Sequence, residues 1–149
     1  MHITILKNNY YLQSLISYLG ILPFIFILID LNVFSYFSIY FLKDFTIYYV
    51  LIIFSFIGAM RWNFDKQSNI LKILYGFIPS LFSTILIFFN LLILNKNLIL
   101  LCIVFLIIIQ LIGDFIFYKK DIREKFIFQK IRIPITFIIS IIMLYLISV

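Results

Sequence analysis

The chain has 149 residues, of which 65% are hydrophobic and 12% are charged, and its formal net charge is +6. A soluble domain of this length leaves a large share of its surface in water, so this composition excludes an ordinary soluble fold and indicates a single integral membrane domain. With one cysteine, Cys102, and one histidine, His2, the chain cannot form an internal disulfide, a multi-cysteine metal site or a bis-histidine haem or zinc site.

Five apolar runs are long enough to cross a bilayer as helices, which takes roughly 20 residues at about 1.5 Å of rise each. Strands of a membrane barrel would alternate polar and apolar residues, whereas these runs are apolar on both faces, so they are helices. We predict an all-α integral membrane protein, a five-helix transmembrane bundle forming one domain over residues 1–149. The predicted spans are residues 11–31, 45–64, 70–94, 98–118 and 131–148.

A sixth apolar segment lies between the first two spans, at residues 33–42. It is rich in aromatic residues but too short to cross a bilayer. We predict a short interfacial helix there, with Phe34, Phe37 and Phe41 on one face.

Basic residues divide unevenly between the two ends of the predicted spans. The N-terminus and the loops that follow spans two and four hold 10 of the 12 Lys and Arg residues, and the other side holds only Lys43 and Lys96. Short loops rich in Lys and Arg stay in the cytoplasm. This pattern predicts a cytoplasmic N-terminus, an outside C-terminus and a multi-pass protein of a bacterial inner membrane, with the mitochondrial inner membrane as the alternative.

The expected partners follow from where the positive charge lies. Because it sits in short loops between apolar runs, it favours anionic lipid headgroups of the bilayer over nucleic acid. Another membrane protein is a further expected partner. The sequence has no glycine-rich phosphate loop, no H-E-x-x-H and no G-x-S-x-G motif, and it indicates no cofactor and no metal.

A cluster of polar and aromatic residues is predicted at the cytoplasmic ends of the spans: Arg61, Trp62, Asp114 and Arg132. Arg61 and Trp62 are either interfacial anchors or members of a placed site. Asp114 lies just inside the end of span four, and its carboxylate is too short to reach water easily. It is either a partly solvated residue near the headgroups or the partner of a cation, Arg61 or Arg132, in a role that is structural or functional.

Proline and small residues mark bends and packing faces within the spans. Pro23 and Pro79 are expected to kink spans one and three because proline lacks the N–H that a helix interior uses. Small residues at four-residue spacing let helices approach closely. They are Ser55 and Ala59 in span two, and Gly76, Ser80 and Thr84 in span three.

Several short motifs occur in this order along the chain: Gly20-Ile21-Leu22-Pro23-Phe24, Ser55-Phe56-Ile57-Gly58-Ala59-Met60-Arg61-Trp62, Pro79-Ser80-Leu81, and Asp114 followed by Arg132 and Thr136. Together they resemble the transmembrane protein 69-like family, small bacterial and mitochondrial membrane proteins that carry the domain of unknown function 3429. The resemblance implies a five-span inner-membrane protein and brings no activity with it. Arg61 stands where the family often has histidine, and an arginine cannot titrate at ordinary pH.

Three functional hypotheses remain. The first is a non-enzymatic accessory or assembly protein that binds a membrane protein or lipid, and the sequence favours it because little mass lies outside the spans and no catalytic set is recognisable. The second is a small transporter that works as an oligomer. The third is a lipid- or quinone-binding membrane enzyme with Asp114 as acid or base and with Arg61 and Arg132 as anion clamps.

Overall fold

The computed structural model describes residues 14–59, 70–92, 95–116 and 127–149. Within these ranges the protein is all-helical and has no strand. Five helices are long and apolar enough to cross a membrane, so the all-α, five-span prediction is confirmed. They are α1 (Ser14–Phe34), α2 (Ile39–Ala59), α3 (Ile70–Leu92), α4 (Lys96–Ile116) and α5 (Phe128–Ser148).

Residues 33–42 do not form the separate interfacial helix that we predicted. Instead α1 continues to Phe34 through a π-helical turn, Asp30–Phe34. Ser35 then adopts a left-handed backbone conformation with φ of 53°, which a right-handed helix cannot continue through, so α1 ends. The aromatic segment is therefore the end of one helix, a turn and the start of the next.

Helix α2 begins at Ile39, ahead of the predicted start at Phe45, because Ser38 caps it. The Ser38 hydroxyl accepts the backbone N–H of Phe41 at 3.3 Å, and the Ser38 carbonyl accepts the N–H of Leu42 at 3.1 Å. A serine in this position satisfies N–H groups that the first turn of a helix leaves without partners.

The chain divides into two compact units. One comprises Met1–Phe37 and Val104–Val149, and the other comprises Ser38–Ile103. The first unit therefore contains α1, α5 and the later part of α4, and the second contains α2, α3 and the start of α4. The single transmembrane domain stays a prediction.

In the second unit, α2 and α3 pack antiparallel. Asp44 near the start of α2 accepts a hydrogen bond from Asn90 near the end of α3 at 3.0 Å, while the hydroxyls of Ser55 and Ser80 lie 3.0 Å apart toward the opposite helix ends. The apolar core of this unit includes Leu42, Ile47, Val50, Leu51, Phe54, Ile99, Leu100 and Ile103.

Helices α2 and α3 approach each other closely at Gly58. A Cβ atom on Gly58 would lie 2.7 Å from Cγ of Pro79 and 2.8 Å from the carbonyl oxygen of Gly76. Only a residue without a side chain fits such a contact. Small residues therefore set the helix spacing here, although Gly58 rather than Ala59 is the α2 residue that does so.

The buried face of α3 departs from the predicted stripe at its last member. Thr84 is exposed and donates to the carbonyl of Ser80 in its own helix at 3.0 Å. Ser83 is buried instead, and its hydroxyl donates to the carbonyl of Leu51 in α2 at 3.0 Å. Because an α-helix has 3.6 residues per turn, a strict four-residue spacing drifts away from the contact face.

In the first unit, α1 and α5 run parallel. The Tyr18 hydroxyl donates to the carbonyl of Lys130 at 2.6 Å near the starts of both helices. The Tyr145 hydroxyl donates to Oδ1 of Asn32 at 2.8 Å near their ends. The buried apolar residues of this unit include Phe24, Ile27, Ile107, Phe128, Ile131, Ile139, Ile142, Met143 and Leu146.

The two prolines that were expected to kink their helices lie in different surroundings. Pro23 follows a turn at residues 20–21, where the N–H of Ile21 donates to the carbonyl of Tyr18 at 2.9 Å, and α-helical geometry resumes over Leu22–Ile29. Helix α3 runs on through Pro79. The kink at Pro79 stays a prediction.

Candidate functional site

An ion pair between Asp114 and Arg132 joins the end of α4 to the start of α5. Nε of Arg132 donates to Oδ2 of Asp114 at 2.9 Å, and Nη2 of Arg132 donates to the same oxygen. The Asp114 side chain is fully buried, and the Arg132 side chain is 13% exposed. Arg132 is one of the two cations that the sequence left open as partners of Asp114, and the other, Arg61, lies outside the described residues.

Apolar side chains surround this part of the first unit. Phe128 and Ile131 are 7% and 5% exposed, and the rings of Phe115 and Phe128 lie 5.9 Å apart. Low polarity strengthens the attraction between opposite charges and also makes either charge costly to bury alone. The pair therefore fixes α4 against α5 and depends on both of its members.

The other residues of the predicted cluster are placed as follows. Arg61 and Trp62 lie outside the described residues. The four-residue cluster of Arg61, Trp62, Asp114 and Arg132 therefore stays a prediction beyond its Asp114–Arg132 pair.

A second buried carboxylate, Asp30, lies near the end of α1 and was not predicted as a site residue. Its Oδ1 accepts the N–H of Tyr36 at 3.2 Å, and its Oδ2 accepts the N–H of Phe37 at 3.1 Å. Its backbone carbonyl accepts the N–H of Ser35 at 2.6 Å. One residue thus satisfies three N–H groups of the turn after α1.

The sequence does carry a signal for this role of Asp30. A lone aspartate at the end of an apolar run, followed by a short segment containing Ser35, is typical of a side chain that bonds nearby backbone N–H groups. Backbone groups within or near lipid have to be satisfied by the protein itself. We infer that Asp30 stabilises the turn.

In the second unit, an ion pair and hydrogen bonds among Asp44, Asn90 and Lys96 join α2, α3 and α4. Nζ of Lys96 lies 2.8 Å from Oδ1 of Asp44 and also donates to the carbonyl and the Oδ1 of Asn90, at 2.9 and 3.2 Å. Nδ2 of Asn90, a residue that is 1% exposed, donates to the same Asp44 oxygen. The Lys96 ammonium thus has an acceptor for each of its three N–H donors.

The described residues do not bring three His, Cys, Asp or Glu side chains close enough to hold a metal ion. Cys102 is exposed on α4. The polar side chains that meet within the described ranges form hydrogen bonds and ion pairs between helices, an arrangement that positions the helices.

Residues that carry the family resemblance contact one another within each unit. Such contacts arise between motifs that lie far apart in the sequence. Ser55 and Gly58 of the second motif meet Ser80 and Pro79 of the third, and Asp114 meets Arg132.

A family model described as protein of unknown function (DUF3429) matches residues 12–148, nearly the whole chain. No curated protein and no solved structure matches the chain. The chain, a multi-pass membrane protein by its five apolar helices, belongs to the DUF3429 family.

Proposed function

We propose that this protein is a non-enzymatic accessory or assembly protein that binds another membrane protein or lipid within the bilayer. The observation that carries the proposal is the pairing of Asp114 with Arg132. A catalytic acid or base has to reach its substrate. Here the acid is fully buried and bonded by a guanidinium, which is the arrangement of a structural pair.

The uncovered surfaces of α1 and α3 support a binding role. In an 18-residue apolar stretch of each of these spans 22% of the residues are buried, against 44% in the corresponding stretch of α2. Exposed apolar side chains in a membrane are covered by lipid tails or by another helix. On α3 the exposed residues include Phe77, Ile78, Leu81, Phe88, Phe89 and Leu92.

We also propose the inner membrane as the location, with the N-terminus in the cytoplasm. The support is the division of basic residues, 10 on the N-terminal side and 2 on the other. The parallel course of α1 and α5 agrees with a chain whose two ends lie on opposite sides of the membrane.

The enzyme and transporter hypotheses have less support. The enzyme would need the Asp114 carboxylate for substrate, but Arg132, its proposed anion clamp, bonds that carboxylate directly. A transporter needs a polar path, and the buried polar residues Ser83 and Asn90 of α3 instead bond to α2.

Native mass spectrometry of the protein, extracted in lipid nanodiscs from its own membrane, tests the proposal. The informative comparison is wild type against the double variant Asp114→Asn/Arg132→Met, which removes both charges and leaves neither alone. If the role is non-enzymatic, we expect the same protein partner or lipid to be retained by both forms. A small molecule that wild type converts and a folded double variant does not convert would overturn the proposal.

A further inference from the structure

Lys43, in the second turn of α2, is a buried lysine whose hydrogen-bond partner is neutral. The residue is 8% exposed, and its Nζ donates to Oδ1 of Asn97 at 2.8 Å, in the first turn of α4. Among the residues that the structure describes, no carboxylate lies within ion-pair distance of this nitrogen. The amide of Asn97 is neutral, so the charge of Lys43 is not balanced by its partner.

The nearest acid in sequence, Asp44, is already engaged. Its Oδ1 takes the Lys96 ammonium at 2.8 Å and the Asn90 amide at 3.0 Å. The three charged residues Lys43, Asp44 and Lys96 therefore leave one positive charge in excess at this end of the second unit. The first turn of α4 adds the partial positive charge of a helix N-terminus.

Lysine has three N–H donors, and the bond to Asn97 uses one of them. A buried ammonium is unfavourable unless an anion or several acceptors compensate for its lost hydration. Lys43 is too buried to rely on bulk water, unlike a lysine that extends its head fully into solvent. An anion that accepts the remaining donors would supply both the charge and the hydrogen bonds.

We propose that Lys43, positioned by Asn97, binds a phosphate group, either in the headgroup of an anionic lipid or as free phosphate. Phosphate oxygens are strong acceptors for an ammonium group, and lysine side chains near the ends of transmembrane helices reach the level of the lipid headgroups. Lys43 and Asn97 lie near the beginnings of α2 and α4, at helix ends where a bilayer places its phosphates. This inference rests on the lipid-binding form of the proposed function and names the group that is bound.

The test is native mass spectrometry of the delipidated full-length protein, titrated separately with phosphatidylglycerol, phosphatidylcholine and inorganic phosphate. We expect one phosphatidylglycerol to bind per chain in preference to phosphatidylcholine. Lys43→Met should weaken that binding by about 10- to 100-fold, the loss expected for a charged hydrogen bond. If inorganic phosphate binds instead and Lys43→Met abolishes its binding, the site is assigned to free phosphate.

Asn97→Asp is the second variant, and it keeps the test decisive if Lys43→Met fails to fold. It places a carboxylate 2.8 Å from the ammonium in wild-type geometry, so it should expel the phosphate group while Lys43 remains present. Lys130→Met is the matched control, because it removes the same charge from an exposed lysine and should leave binding unchanged.

Equal phosphatidylglycerol binding by wild type, Lys43→Met and Asn97→Asp would overturn the site, as would a wild-type protein that binds neither lipid nor phosphate. The phosphate site would also be overturned if the protein retained a protein partner in place of lipid and Lys43→Met released that partner. Co-purification of a protein partner, measured on the same variants, tests the accessory role separately. A partner retained by all variants leaves that role standing even if the phosphate site fails.

Discussion

Gly58 of α2 lies so close to Pro79 of α3 that a methyl group on Gly58 would overlap the proline ring. The second obstacle is the carbonyl oxygen of Gly76, a backbone atom that cannot turn aside. We therefore expect Gly58→Ala to lower the free energy of unfolding by about 1–3 kcal/mol, the usual cost of overpacking. Thermal unfolding in detergent, followed by circular dichroism, measures this loss.

Whether Gly58→Ala lowers or raises the free energy of unfolding distinguishes the effect of the close contact from the effect of helix propensity. Alanine favours a helix over glycine by about 1 kcal/mol, so without the contact the variant would be more stable than wild type. A raised melting temperature for Gly58→Ala would therefore contradict the close approach of α2 and α3.

The Asp114–Arg132 pair predicts strong coupling between two substitutions. Asp114→Asn or Arg132→Met alone leaves one buried charge without its partner, and each should destabilise the protein by about 3–5 kcal/mol. The double variant should recover much of that loss because neither charge remains. Unfolding free energies for the four proteins form a double-mutant cycle, and additive losses would show that the pair does not stabilise the fold.

The hydrogen bonds of Asp30 should slow the exchange of backbone amide hydrogens in the turn after α1. Asp30→Ala removes the acceptors of the Tyr36 and Phe37 amides, so both should exchange at least about tenfold faster, since a hydrogen bond to a charged group contributes about 1.5–3 kcal/mol. Hydrogen–deuterium exchange mass spectrometry reads these amides. Asn32→Ala is the control, because Asn32 bonds Leu28 and Tyr145 but neither of the two amides.

The depth of the turn in the membrane can be measured with tryptophan. Tyr36 is 79% exposed and Ile52, within α2, is 63% exposed. In a Trp62→Phe background, which leaves no other tryptophan, we expect Tyr36→Trp to be quenched best by lipids brominated near the headgroup. Ile52→Trp should be quenched best by bromine near the chain ends. Identical quenching depths would contradict an interfacial position for the turn.

Hydropathy was sufficient to predict the five helices, because a segment that has to cross lipid needs a long apolar run whatever it packs against. The same criterion failed at residues 33–42. Composition there suits an interfacial helix, but the outcome depends on Asp30 reaching two backbone amides and on the left-handed Ser35. Those interactions cannot be recognised from apolar content.

Some of the residues that hold the helices together could be predicted from the sequence, and others could not. A carboxylate inside a span requires a cation or several hydrogen-bond donors, so Asp114 could be singled out and its candidate cations narrowed to two arginines. The sequence carried no such indication for Gly58 or Lys43. Their roles depend on the atoms of neighbouring helices that lie beside them, which are Pro79 for Gly58 and Asn97 for Lys43. Helix register and rotation set those neighbours, and they depend on side-chain packing along whole helices rather than on local pattern.

The two tyrosine bonds between α1 and α5 join residues that lie 112 and 113 positions apart in the sequence. During synthesis α1 leaves the ribosome before α5, so α1 has to remain in the membrane without this neighbour until the intervening helices have been made. The antiparallel contact of α2 and α3 can form much earlier, because it joins segments that are close in sequence. A nascent chain truncated before α5 would therefore hold a packed α2–α3 pair and an α1 whose Tyr18 and Asn32 lack their bonds to α5, the state that a membrane quality-control protease would meet.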